Sequence, residues 1–99
     1  MTALDAITST LIEAEHAHAA AFASANGVDP EWAVFYADWL VDSSSLPTLV
    51  EQPLGRGALK DALVEIDRRH TAEGPDEDWA RYYARGLIER FGAAETTTP

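Results

Sequence analysis

The chain has no cysteine among its 99 residues. That excludes disulfide staples, thiolate nucleophiles and zinc-thiolate sites, so stability must come from packing. Positive charge is scarce and missing altogether from the first half. Residues 1–55 hold eight acids (Asp5, Glu13, Glu15, Asp29, Glu31, Asp38, Asp42, Glu51) and no Lys or Arg, whereas all seven bases follow. Most of the formal charge of −10 therefore sits in the first half. Such a surface repels phosphate backbones, which argues against nucleic acid as a partner, because that affinity rests on Lys and Arg. It would suit a basic protein partner, although a solvated acidic face needs none. No apolar run approaches the roughly 20 residues of a membrane span, so no membrane partner is expected. Acids stand near the N-terminus where a secretory signal needs positive charge, and a soluble cytoplasmic protein is the expectation. No segment alternates with period two, so strands are not expected.

What is present is helical. With 46% hydrophobic residues, the chain can bury one core and reads as a single domain over 1–92 with a disordered tail at 93–99. Leu4, Ile7, Leu11, Ala14, His18 and Phe22 recur at spacings of three and four, the stripe of an amphipathic helix over 3–26, with Thr2 as N-cap and Gly27 as stop. "VDPEW" predicts a second helix from Pro30 to Asp42, capped by Asp29 with proline in its first position. A crossover loop over 43–56 follows, with one helical turn near Pro47 to Glu51. Leu59, Leu63, Ile66 and His70 mark a helix over 57–73 that Gly74 and Pro75 end, and the last helix follows Asp76 and ends at Phe91.

The chain writes one helix opening twice. "DPEWAVFYADWL" (Asp29 to Leu40) and "DEDWARYYARGL" (Asp76 to Leu87) match at a spacing of 47 residues. The preceding helices match at 52, "LIEAEHAHAA" (Leu11 to Ala20) against "LVEIDRRHTA" (Leu63 to Ala72). Unequal spacings are what a loop insertion between repeated hairpins produces. The expected fold is all-α, a four-helix bundle made of two duplicated helical hairpins, 3–42 and 57–91, with pseudo-two-fold symmetry. The pattern D-x-[ED]-W-A-x-[FY]-Y-A resembles that of small all-helical bacterial proteins of uncharacterised function, a resemblance that spans most of the chain and implies no mechanism.

Trp32, Phe35, Tyr36, Trp39 and Leu40 share one broad helix face, as do Trp79, Tyr82, Tyr83 and Leu87. They read first as core and second as an aromatic ligand pocket or partner surface. Where the first copy has Trp39 the second has Gly86, and a glycine inside a helix permits close approach of a bulky neighbour, with Trp39 itself as the candidate. Val34 and Val41 fall opposite the main stripe and make this helix apolar nearly all round, the signature of a helix that is either central or covered by another subunit. The leading functional expectation is therefore a non-enzymatic protein that acts by association as a homodimer, with Val34, Trp39 and Val41 on the association surface.

The alternative rests on two carboxylate-x-x-histidine spacings. Glu15 and His18, and Asp67 and His70, occupy equivalent repeat positions, and a separation of three places both side chains on one helix face. They partly resemble the Glu-x-x-His element of ferritin-like bundles that hold two metals; the leading expectation is no cofactor, and the resemblance implies as its alternative a divalent metal ligated by Glu15, His18, Asp67 and His70. That pattern also demands a core-facing glutamate from each remaining helix. Here Glu31 and Asp78 lie in first helical turns, and Asp38 has Arg85 as its counterpart. Without a metal, the same residues beside Tyr36 and Tyr83 would form a small-ligand pocket, or the imidazoles would be oriented by their carboxylates or by the tyrosines. His16 falls off the stripe. "SSSLP" lacks the context of a nucleophile elbow and "LGRG" the lysine and spacing of a phosphate loop, so no catalytic residue is assigned.

Overall fold

A computed structural model describes residues 2–25 and 30–93. Among them are five α-helices and no strand: α1 Ala3–Ala21, α2 Trp32–Asp42, α3 Leu46–Leu49, α4 Arg56–Glu73 and α5 Trp79–Phe91. The fold is all-α. The helix ends follow local chemistry. The Thr2 hydroxyl accepts a hydrogen bond from the Asp5 amide at 3.1 Å, which satisfies one of the orphan N–H groups of the first turn. Gly74 closes α4 in the left-handed conformation (φ 53°, ψ 51°), and its N–H donates to the His70 carbonyl, a close that favours a residue without Cβ.

Several boundaries differ from the sequence reading, and α4 starts one residue early at Arg56. The α-helical part of α1 stops at Ala21 and continues as a 3-10 turn over Ala23–Ala25, where small residues supply no further apolar stripe to bury. Pro30 lies in a turn ahead of α2, which starts at Trp32 with Glu31 as an N-cap that makes no side-chain capping bond. The crossover turn forms one residue early, at Leu46–Leu49, because Leu46 is fully buried and anchors it. The expected cap at Asp29, the stop at Gly27 and the tail beyond residue 93 lie outside the described residues.

In the packing, α1 lies against α2 and α5, and α4 lies against α5 and α2, while α3 closes one end against α1 and α2. The two amphipathic stripes meet in the core. Ile7, Leu11 and Ala14 from α1 are buried with Leu59, Leu63 and Ile66 from α4 and with Leu40, Ala84 and Leu87. After α3 the chain is tied to the end of α5 by two hydrogen bonds, from the Glu51 N–H to the Gly92 carbonyl and from the Gln52 N–H to the Phe91 carbonyl, each 3.0 Å, beside an isolated antiparallel bridge of Val50 with Ala93. A bridge this short leaves no alternating pattern to read in the sequence. Gly86 does make room for a bulky neighbour, but the neighbour is Ile66 of α4 and not Trp39. A Cβ built on Gly86 would stand 2.8 Å from Ile66 Cδ1 and Cγ1.

Candidate functional site

A concave pocket of about 310 Å³ opens between α1, α2, α4 and α5. Its lining is Leu11, Glu15 and His18 from α1, Trp32 and Tyr36 from α2, Leu63 and Asp67 from α4, and Trp79 and Tyr83 from α5. Eight of these nine side chains fall into four pairs at the repeat spacings: Leu11 with Leu63 and Glu15 with Asp67 at 52 residues, Trp32 with Trp79 and Tyr36 with Tyr83 at 47. The helix stripes explain why they meet. Leu11 and Leu63 are buried, so one turn further along α1 and α4 the carboxylates Glu15 and Asp67 emerge beside them at the rim of the core. On α2 and α5 each tryptophan and tyrosine are four residues apart and therefore neighbours on one face.

The aromatic walls are held by their own contacts. Trp32 and Tyr36 have ring centroids 5.9 Å apart at an interplanar angle of 81°, and Trp79 and Tyr83 stand 5.7 Å apart at 81°. Both are edge-to-face pairs, the arrangement favoured by the quadrupoles of aromatic rings. The Tyr83 hydroxyl donates to Asp67 Oδ1 at 2.8 Å, which fixes both side chains across the α4–α5 contact. Burial first, and then the negative charge and hydrogen bond of Asp67, push the Tyr83 phenol far above the usual tyrosine range. Burial and the charge of Glu15 raise the Tyr36 phenol as well. Both phenols are neutral donors at physiological pH.

The sign of the Tyr83 shift gives a prediction. A phenol whose folded-state pKa exceeds its unfolded value contributes stability that is complete below the unfolded value, about 10. That stability is lost as pH rises from there through the folded value. The protein should therefore lose stability above about pH 10, and Tyr83→Phe should flatten that loss. At neutral pH the same variant should cost about 1–3 kcal/mol, because it removes a hydrogen bond to a charged group. Urea unfolding of both proteins across the alkaline range measures the slope, and equal slopes would contradict the assignment.

The two histidines are not equivalent. His18 lines the pocket and stacks on Phe22 at 4.7 Å, with Phe35 and Tyr36 at 5.2 and 5.3 Å. His70 instead stands 5.0 Å from Tyr82 and 5.8 Å from Tyr83. Tyr82 sends its hydroxyl to Glu73 Oε1 at 2.7 Å. Among the described residues, no group of three or more His, Asp or Glu side chains is placed to hold a metal ion. Glu15, His18 and Asp67 line the pocket and His70 does not, and the four form no ligand set among the described residues. Asp38 pairs with Arg56 at 3.4 Å on the surface, and His16 is exposed.

The association residues separate too. Val34 is 41% exposed, whereas Trp39 and Val41 are partly buried and pack on the chain's own core. The sequence pattern groups Glu15, His18, Asp67 and His70 with Tyr36 and Tyr83, and five of these six line one pocket, whereas His70 is not part of its lining. Trp32 and Trp79 read first as core and second as an aromatic pocket or partner surface, and the structure places both in the pocket lining as well as against the core. The signal that marks them is the Trp-x-x-x-Tyr spacing written at the same place in both copies. No protein-family model, no curated protein and no solved structure matches the chain. No helix among the described residues is long and apolar enough to cross a membrane.

Proposed function

We propose that the chain is a non-catalytic small-ligand-binding protein whose site is the pocket between α1, α2, α4 and α5. The observation that carries this reading is the lining, a concave surface of about 310 Å³ with aromatic and leucine walls and a few convergent polar groups. Small-molecule sites of roughly 300–1,000 Å³ have this composition. The scaffold is a four-helix bundle of two duplicated hairpins about an approximate two-fold axis. Two things support that architecture: the four pairs of lining residues at repeat spacings, and the exchange in which α1 rests on α5 as α4 rests on α2. A thermal-shift screen of neutral, anionic and cationic fragments tests the site. The expected result is fragments that raise the Tm of the unaltered protein, by preferential binding to the native state, and lose the effect in a Trp79→Ala variant. No stabilising fragment, or equal stabilisation of both proteins, would count against it.

A second reading, self-association as a homodimer through the outer face of α2, is favoured by the exposure of Val34. It has less surface to work with than the sequence implies, because Trp39 and Val41 are engaged with the core. Stable interfaces bury about 1,200–2,000 Å² in total. This reading expects a dimer in sedimentation that Val34→Glu converts to monomer. An unchanged sedimentation coefficient would remove α2 from the interface.

A further inference from the structure

We infer that the pocket selects a small organic cation carrying an alkylated ammonium group; the inference rests on reading the pocket as a ligand site. Two edge-to-face aromatic pairs, one on α2 and one on α5, line the pocket. Trp32 meets Tyr36, and Trp79 meets Tyr83, each at 81°, so each pair contributes two rings set nearly at right angles to the pocket lining. Aromatic faces carry the negative lobe of the ring quadrupole and attract cations, and ammonium groups that bear methyls rest on them without needing acceptors for N–H bonds. The same pocket is lined by two carboxyl groups, the exposed Glu15 and the half-buried Asp67. Six of the seven Lys and Arg residues of the chain pair with other acids, so their charge is used away from the pocket. Asp67 accepts from Tyr83 with one oxygen, and a carboxylate has capacity beyond a single bond. Negative charge beside aromatic walls suits an organic cation better than a metal ion, which asks for several ligating atoms within about 2–2.6 Å.

The experiment is calorimetric titration of the full chain with three probes of one shape. These are choline, its neutral isostere with carbon in place of the quaternary nitrogen, and trimethylacetate as an anion. Choline should bind at least about tenfold more tightly than the isostere, and the anion should not bind. Glu15→Gln with Asp67→Asn, which keeps an acceptor for the Tyr83 hydroxyl, should erase the preference for choline while leaving the isostere's affinity in place. A trimethyllysine peptide identifies the source of the group: equal affinity to choline indicates a free ligand, and a large gain from flanking residues indicates a partner's side chain. If the isostere or the anion binds as well as choline, the cation inference is wrong and the ligand site stands. If choline does not bind at all, the inference is likewise overturned, and the fragment screen decides the site separately. Should the double variant fail to fold, the three probes on the unaltered protein decide alone.

Discussion

Leu63→Ala is expected to lower the free energy of unfolding by about 2–5 kcal/mol, the range for truncating a leucine in a packed core. Leu63 is 1% exposed and sits where the α4 stripe meets the core cluster, directly beneath the pocket. The loss combines the transfer free energy of the missing methyl groups with the contacts that its neighbours forfeit around the void. A domain of this size has only about 5–15 kcal/mol of stability in total, so the change is large. Each kcal/mol shifts the Tm of a small domain by about 4–8 °C, and a fall of about 10 °C or more should be visible by circular dichroism. A drop below about 1 kcal/mol would mean that Leu63 does not support the core as described.

Gly86→Val is expected to destabilise by about 2–3 kcal/mol even though glycine is the poorest helix former after proline. Two effects oppose each other. Replacing glycine within a helix recovers a few tenths of a kcal/mol to about 1 kcal/mol of backbone propensity. Against that, the new Cβ arrives 2.8 Å from two atoms of Ile66, a residue 2% exposed and surrounded by core. Two further methyl groups deepen the overlap, and overpacking wins. The partner is testable by a double-mutant cycle: in an Ile66→Ala background, the penalty of Gly86→Val should largely vanish, because the space it needs has been cleared. An unchanged penalty would place the obstruction elsewhere.

Much of this structure was legible because local chemistry decides it. The Thr2 cap, the left-handed Gly74 close and the three-and-four stripes of α1 and α4 depend on neighbours within one turn, and the chain follows them. The pocket carboxylates were legible for the same reason, since Glu15 and Asp67 sit one turn beyond buried leucines. What depends on tertiary pairing was not. The neighbour of Gly86 turned out to be Ile66 on the adjoining α4, a choice set by how deeply α5 sits on α4. The divergence of His18 from His70 arises because Phe22 and Phe35 surround the first, while Tyr82 engages the second. Trp32 and Trp79 carry both roles at once, packing on the core with one part and lining the pocket with another. An amphipathic pattern records only the first of these roles.

The chain's three tryptophans supply the most direct test of the ligand site. Trp32 and Trp79 line the pocket, while Trp39 packs on the core and is not part of the lining, so it serves as an internal control. Each indole N–H signal in a nitrogen-15 correlation spectrum can be assigned by its own Trp→Phe variant. On titration with pools of neutral, anionic and cationic fragments, the Trp32 and Trp79 signals should move together and saturably while that of Trp39 stays in place. If no pool moves the pair, or if Trp39 responds as strongly as they do, the pocket is not the binding site and the account fails.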